Sequence, residues 1–165
     1  MNIKNKETKV VSIFTITILL LATIVPLQAD DIPVTRSTVF VDDDAPPSWY
    51  DATHVKTIQE GINNASAGDT VFVYNGTYYE QVILNKSVIL HGESKTNTII
   101  DGQDTGDVIT ITMDNTTVFS LTVKKAGNPP VSHSGILINS NNNTISNVIT
   151  TSNDIYGINI VSASG

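Results

Sequence analysis

The feature that most constrains the fold is a repeat of short β-branched segments that begins at residue 107. Residues 107–111 (Asp-Val-Ile-Thr-Ile) resemble 134–138 (Ser-Gly-Ile-Leu-Ile), and residues 115–122 resemble 142–149 at the same offset. A unit of roughly 20–30 residues, made of short strands and turns, is too short for an ordinary propeller blade and is typical of one rung of a parallel β-solenoid.

A second match predicts how equivalent side chains stack. Residues 135–138 resemble 157–160 at a shorter offset, and an insertion at 124–133 explains the longer offset of the preceding repeat. Ser120 and Asn147 are equivalent, and we expect them at a polar corner. The expected inward layers are Ile109 with Ile136 and Ile158, and Val118 with Ile145.

The first half of the chain contains the same kind of segment. Short runs rich in Val, Ile, Thr and aromatic residues are closed by Gly, Asn or Asp, which is the pattern of strands and turns. These runs occupy residues 38–41, 70–74, 81–84, 87–92 and 98–102. We therefore predict an all-β chain that forms a right-handed parallel β-helix, with the handedness resting on the resemblance described below.

One helix is predicted, at residues 57–66. Its apolar positions fall on one face, and Thr57 with Glu60 fits a capping box. Gly61 is expected to weaken the helix by up to about 1 kcal/mol relative to Ala. A short amphipathic helix in front of the strands is expected to cover the first end of the coil.

Residues 1–29 have the form of a secretory signal peptide, with a basic start, an apolar run and a small residue, Ala29, at the cleavage point. We expect a flexible leader at 30–37, no membrane span after cleavage, and a secreted or surface location; an uncleaved anchor helix is the alternative. The chain has no Cys. Its formal net charge of −7 opposes attraction to polyanions such as nucleic acids.

The mature domain at 38–165 is expected to be the N-terminal part of a longer β-helix. No predicted element covers the strand that contains Ile158. A C-terminal continuation or a partner is therefore expected to cover this open end.

Two acidic groups are candidate cation sites. Asp42, Asp43 and Asp44 follow the first strand, where a solvated turn is the favoured interpretation. Asp101, Asp104 and Asp107 are weak candidates for Ca²⁺, although turn chemistry explains them better. No cofactor is predicted otherwise.

Three other sets of residues are candidate sites. Five sequons, at Asn64, Asn75, Asn85, Asn115 and Asn142, are candidate N-glycosylation sites. A copper site at His54, His91 and His133 would require His91 and His133 to stack on neighbouring rungs. Tyr78 and Tyr79 are expected to pack outside the strands, with a sugar-stacking platform as the alternative.

Several motifs resemble the pectin-lyase-like right-handed parallel β-helix superfamily, and in particular the NosD-like exported β-helix repeat proteins. These motifs follow the helix at residues 68–73 (Gly-Asp-Thr-Val-Phe-Val), 76–80 (Gly-Thr-Tyr-Tyr-Glu), 88–92 and 98–102. The resemblance covers residues 38–165. It implies the fold more strongly than an activity, because the superfamily contains lyases, hydrolases, esterases, adhesins and maturation factors.

The start of the chain also resembles pectin methylesterases, which share a Thr-Ile-Gln helix and a Gly-Thr-Tyr-x-Glu turn. Those enzymes use paired Asp carboxylates with Gln and Arg on later rungs, whereas the one Arg here is Arg36 in the leader. The pectate-lyase-like enzymes imply a Ca²⁺ site with an Arg or Lys base, and Lys124 or Lys125 could serve as this base only if burial or a nearby cation lowered its pKa.

The sequence therefore favours an exported or cell-surface protein that acts as a scaffold or as a carbohydrate-binding surface, with a polysaccharide or surface glycan as the candidate partner and no visible catalytic site. The alternative is the N-terminal part of a polysaccharide lyase, a pectinesterase-like protein or another carbohydrate-active enzyme, with its site downstream of residue 165.

Overall fold

The protein is described by a computed structural model over residues 35–127 and 131–161. The predicted signal peptide at 1–29 and residues 30–34 of the predicted leader lie outside the described residues. Within the described ranges, no helix combines the length and hydropathy needed to cross a bilayer.

The described strands form three parallel sheets. In spatial order, sheet A contains β12 (Thr144–Ser146), β9 (Thr117–Phe119), β6 (Ile89–Gly92), β3 (Thr70–Val73), β1 (Thr38–Val41) and β2 (His54–Val55). Sheet B contains β13 (Ile149–Thr151), β10 (Thr122–Lys124), β7 (Thr98–Asp101) and β4 (Gly76–Tyr78). Sheet C contains β14 (Tyr156–Ile160), β11 (Ser134–Ile138), β8 (Ile109–Ile111) and β5 (Val82–Leu84).

From β3 onward the chain visits sheets A, B and C in turn, so each set of three strands is one rung of a parallel β-helix. The predicted repeat is confirmed by the strand register. Ile136 pairs with Ile109 on one side and with Ile158 on the other, and Ile145 pairs with Val118.

Alternation along each strand builds the core. In β1 and β3 the valines are buried and the residues between them are only partly buried. Ile109 and Ile136 are fully buried, as predicted, whereas Ile158 is 43% exposed because β14 pairs with β11 alone among the described strands.

The helix α1 (Ile58–Asn64) is shorter than predicted but has the expected buried face, with Ile58 and Ile62 inaccessible to solvent. It packs against β1, β2, β3 and β5 at the first end of the coil. A Cβ on Gly61 would lie 2.9 Å from methyl carbons of both Val41 and Val71. Glycine therefore lets the helix approach the coil closely, which outweighs its low helix propensity.

The Gly-Thr-Tyr-Tyr-Glu segment secures this helix. The Glu80 carboxylate accepts hydrogen bonds from the N–H groups of Ile58 and Gln59, at 2.8 and 3.0 Å. Of the predicted capping box, the hydrogen bond from the Glu60 N–H to Thr57 Oγ1 is present, at 3.2 Å. Burial raises the pKa of Glu80, against the lowering effect of the two backbone hydrogen bonds.

The prediction that both tyrosines pack outside the strands is wrong for Tyr78. Its ring is 2% exposed, and its hydroxyl donates toward the carbonyl oxygens of Val41 and Tyr74. Tyr79, the first residue after β4, is 63% exposed. The motif that carries the likeness to esterases thus holds the cap in place.

The corners between sheets use the left-handed backbone conformation. Ser120 and Asn147 have φ values of 63° and 51°, which confirms their equivalence at a corner. Side-chain oxygens also receive backbone N–H groups from the neighbouring rung. Asp114 accepts from Asn141 at 2.7 Å, and Asn143 accepts from Thr116 at 2.9 Å.

Candidate functional site

A row of aromatic rings runs across the outer face of sheet A. Each ring occupies an outward position, and the strand register places successive rings on neighbouring strands about 4.8 Å apart. In spatial order the row is His54, Phe40, Phe72, His91 and Phe119. We call these five residues the aromatic row.

The rings of the row contact one another. His54 and Phe40 stack with centroids 5.2 Å apart, and His91 and Phe119 stack at 3.9 Å with planes 21° apart. Phe72 meets Phe40 and His91 edge to face, at 6.1 and 5.0 Å. Such contacts stabilise ring pairs by about 0.5–1.5 kcal/mol beyond the area they bury.

Further rings widen the first end of the row. Trp49 contacts His54 at 4.6 Å and Tyr74 at 6.1 Å, and it ends a 3₁₀ turn at Pro47–Trp49. Tyr50 packs edge to face on Trp49 and donates its hydroxyl to the Asp42 carbonyl oxygen at 3.0 Å. The turn after β1 therefore extends the aromatic surface beyond the strands.

A row of hydroxyl groups lies beside the rings, and Thr38, Thr70 and Thr117 each stand two positions before a phenylalanine of the aromatic row. We call Thr38, Thr70, Thr117 and Thr144 the threonine row; they occupy equivalent register positions, with Ile89 between Thr70 and Thr117. Within the described residues, the side-chain hydroxyls of these threonines have no hydrogen-bond partner in the protein. They therefore remain available to a ligand.

The strand positions that face outward on sheet A carry no Asp, Glu, Lys or Arg in the described residues. Partial burial lowers the pKa of His91, so its imidazole is neutral at pH 7. The first end differs, because Asp51 contacts His54 Nδ1 at 3.0 Å. Hydrogen bonds from Thr53 and His54 lower the pKa of Asp51 to about 2.

The three weak Ca²⁺ candidates have separate partners. Asp101 is buried on sheet B, and Asp104 is exposed in the following turn with a φ of 57°. Asp107 accepts the Ser134 N–H at 2.6 Å and faces His133 Nδ1 at 3.6 Å. Their carboxylates do not form a close group in the described part of the chain, where the close acidic group is Asp42, Asp43 and Asp44.

Asp101 instead binds the two lysines considered as bases. Its Oδ2 lies 3.3 Å from Lys124 Nζ and 3.0 Å from Lys125 Nζ. Burial alone would raise the pKa of Asp101, but the Gln103 N–H and the two ammonium groups outweigh it and lower the pKa. The same pairing raises the pKa of Lys125, which is the opposite of what a general base needs.

The Asp42–Asp44 carboxylates lie within 4.8 Å of one another. Burial and the neighbouring charges of Asp44 and Asp43 raise the pKa of Asp42, although the Asp44 N–H lowers it in part. The Asp44 N–H lies 3.2 Å from Asp42 Oδ1. This is the geometry of a turn in which an Asp side chain accepts a hydrogen bond from the backbone N–H two residues later.

The three histidines are not brought together. His54 and His91 lie in sheet A, whereas His133 precedes β11 of sheet C. The copper hypothesis required His91 and His133 to stack on neighbouring rungs, and they do not. All five sequon asparagines (Asn64, Asn75, Asn85, Asn115 and Asn142) are exposed, and their glycosylation stays a prediction.

The aromatic row was not predicted from the sequence, because its members are far apart and unevenly spaced along the chain from Phe40 to Phe119. A signal was nevertheless present. The tripeptide Thr-Val-Phe occurs at residues 38–40, 70–72 and 117–119, each time in sheet A. These copies supply three members of each of the two rows.

Comparison with protein-family models gave no match, and none of the curated proteins searched matched this chain. Among solved structures, pectin methylesterase from carrot matches with a TM-score of 0.54 at 13% sequence identity. The match covers 72% of this chain and 40% of the carrot chain, so this chain spans less than half of that protein. The likeness establishes the pectin-lyase-like right-handed parallel β-helix fold.

Proposed function

We propose that this protein is an exported β-helix scaffold of the NosD-like kind that binds a glycan on the outer face of sheet A. The signal-peptide form of residues 1–29 supports an extracytoplasmic location. The observation that carries the binding proposal is the aromatic row with the threonine row beside it.

The chemistry of this face suits a sugar. A pyranose ring has apolar C–H faces and a rim of hydroxyl groups, so it binds surfaces that offer apolar rings beside polar groups. Phe72 and Phe119 offer partly buried rings, while the hydroxyls of Thr70 and Thr117 can donate and accept hydrogen bonds. Because these hydroxyls have no described protein partner, binding a sugar need not break existing hydrogen bonds.

Charge favours a neutral glycan over an acidic one. The whole chain has a net charge of −7, and His91 is neutral at pH 7. Asp42, Asp43 and Asp44 follow β1 directly, at the first end of the aromatic row. Such a surface repels polyuronates and leaves neutral polysaccharides unaffected.

The test is affinity electrophoresis of residues 35–165 through gels that contain hydroxyethyl cellulose, galactomannan or polygalacturonate. We expect the neutral polymers to retard the protein and polygalacturonate to have little effect. Replacing His91 and Phe119 together by Ala should abolish the retardation. The matched control replaces Ile83 and Thr110, two outward residues of sheet C, and should be retarded like the parent.

A second candidate is the N-terminal part of a carbohydrate-active enzyme, which the fold likeness to pectin methylesterase favours. Its catalytic residues would then lie on rungs after residue 165. Methanol release from methyl-esterified pectin, or cleavage of a polysaccharide by the native exported protein, would support the enzyme. Retardation by neutral polymers without any turnover would support the scaffold.

A further inference from the structure

The last ring of the aromatic row has one face that no other ring of the described residues covers. His91 and Phe119 stack face to face on neighbouring strands, so their ring faces look along the axis of the coil. The other face of Phe119 looks toward β12. There its register partner is Ser146, an exposed residue with a side chain of only two heavy atoms.

We infer that one sugar ring of a neutral glycan occupies the position above Ser146, stacked on the uncovered face of Phe119. This inference rests on the proposed glycan binding by sheet A. Rings in the row already stack at 3.9 and 5.2 Å, and the strand spacing of about 4.8 Å leaves room for one more ring at the level of Ser146. The sugar would take the place that an aromatic residue holds on earlier strands.

This stacking fixes the direction of the glycan. A sugar ring stacked on Phe119 lies parallel to the strands and perpendicular to the coil axis. Equatorial linkages leave a pyranose ring close to its own plane, so an equatorially linked chain stays perpendicular to the coil axis. Within that plane, its neighbouring sugars contact the protein only when the chain runs along β12 and crosses the aromatic row. The next sugar on one side reaches Thr144, two residues or about 6.6 Å away, and the other side reaches the corner at Asn147.

The ligand class follows from these constraints. Equatorial linkage on both sides of the stacked ring is found in neutral β-1,4-linked glucans and mannans. Ser146 and Thr144 have no described hydrogen-bond partner for their hydroxyls, so both can bind the sugar rim. We therefore assign the site to a short stretch of such a chain rather than to a long polymer lying along the coil.

Calorimetry with cellohexaose and mannohexaose tests the assignment. Ser146→Phe fills the position with an aromatic ring and should weaken binding by tenfold or more, about 1.4 kcal/mol. The matched control is Ile149→Phe, which places the same ring on the same rung but in sheet B, and it should bind like the parent. Unchanged binding by Ser146→Phe would overturn the inference and leave the proposed function standing.

A second variant covers the case in which Ser146→Phe does not fold, which circular dichroism would show. Phe119→Leu keeps an apolar side chain but removes the ring, and it should also weaken binding at least tenfold. Full affinity in Phe119→Leu would contradict the stacked position. If the parent protein binds neither the oligosaccharides nor the neutral polymers, the inference and the proposed function both fail.

The direction has its own readout, because Trp49 is the single tryptophan of the chain and lies at the opposite end of the row. Binding of cellohexaose across β12 should leave the emission of Trp49 unchanged. A shift in that emission, abolished by Phe119→Leu, would mean that the glycan runs along the coil and would overturn the assigned direction.

Discussion

The two ends of the described coil contain similar inward residues in different surroundings. At the first end, α1 covers the rung, and Val39, Val41 and Val71 are at most 4% exposed. At the other end, Ile158 and Ile160 are 43% and 69% exposed. Their register partners Ile136 and Ile138, one rung earlier, are 0% and 5% exposed.

An inward position in a solenoid is therefore buried only when a rung or a cap lies on each side of it. The side chain points inward because of the strand alternation, which is local. Its burial depends on the next rung or on a cap, which is a property of the stack. Identical isoleucines on the last two rungs should therefore contribute very differently to stability.

The largest effect should come from an aspartate placed at the two equivalent isoleucines. Ile136→Asp buries a carboxylate without a partner and should lower the free energy of unfolding by more than about 4 kcal/mol. Ile158→Asp should cost less than about 1 kcal/mol, since its side chain is already 43% exposed. Urea unfolding of residues 35–165 measures the two losses of stability. Equal losses would contradict the claim that the position of Ile136 is buried and that of Ile158 is not.

The next largest effect should come from the close approach of the helix cap. Gly61→Val places side-chain atoms where Val41 and Val71 already lie, so we expect a loss of about 3 kcal/mol. Glu60→Gln on the exposed side of the same helix should change stability by less than about 0.5 kcal/mol. A Gly61→Val variant as stable as the parent would show that α1 does not pack closely against the coil.

A smaller and pH-dependent effect is expected at Glu80. Glu80→Ala leaves the N–H groups of Ile58 and Gln59 without their partner and should cost about 1–3 kcal/mol. The folded pKa of Glu80 is raised, so its favourable contribution is complete below the unfolded pKa and is lost as pH rises through the folded pKa. The stability advantage of the parent over Glu80→Gln should therefore shrink between pH 4 and pH 7, and an advantage that grows would contradict the raised pKa.

The smallest effect is expected at the carboxylate on the outer side of sheet B. Asp101→Asn should cost about 1–2 kcal/mol at pH 7, because the exposure of both lysines screens part of the attraction. The folded pKa of Asp101 is lowered, so this contribution exists above the unfolded pKa and is lost as pH falls through the folded pKa. Unfolding curves of Asp101→Asn and the parent should converge toward pH 3. The control is Asp154→Asn, because Asp154 is exposed on the last rung. This substitution should leave the free energy of unfolding unchanged at pH 7.

Strands, rungs and the capping helix could be predicted because they depend on local patterns. The run at 38–41 is a strand as predicted, and the predicted run at 81–84 contains the strand Val82–Leu84. The two repeat offsets reappear in the register of Ile109, Ile136 and Ile158. Alternation and turn residues act over a few positions, so the sequence displays them directly.

The candidate site could not be predicted in the same way, because unequal turn lengths decide which residues meet. His91 reaches Phe119 only after the turns between β6 and β9 have set the register. The inward position of Tyr78 was missed for a related reason, since its strand is very short and no alternation is visible in such a run. The repeated Thr-Val-Phe tripeptide was the one available signal.

The left-handed corners have a consequence for how such a chain can change in length. Asn115 with Asn142, and Lys125 with Ser152, repeat the corner conformation at the same interval as Ser120 with Asn147. A tandem duplication of the gene segment for residues 115–141 would therefore add one whole rung while every flanking corner kept its geometry. Copy number, set by recombination, could then lengthen sheet A in steps of about 4.8 Å.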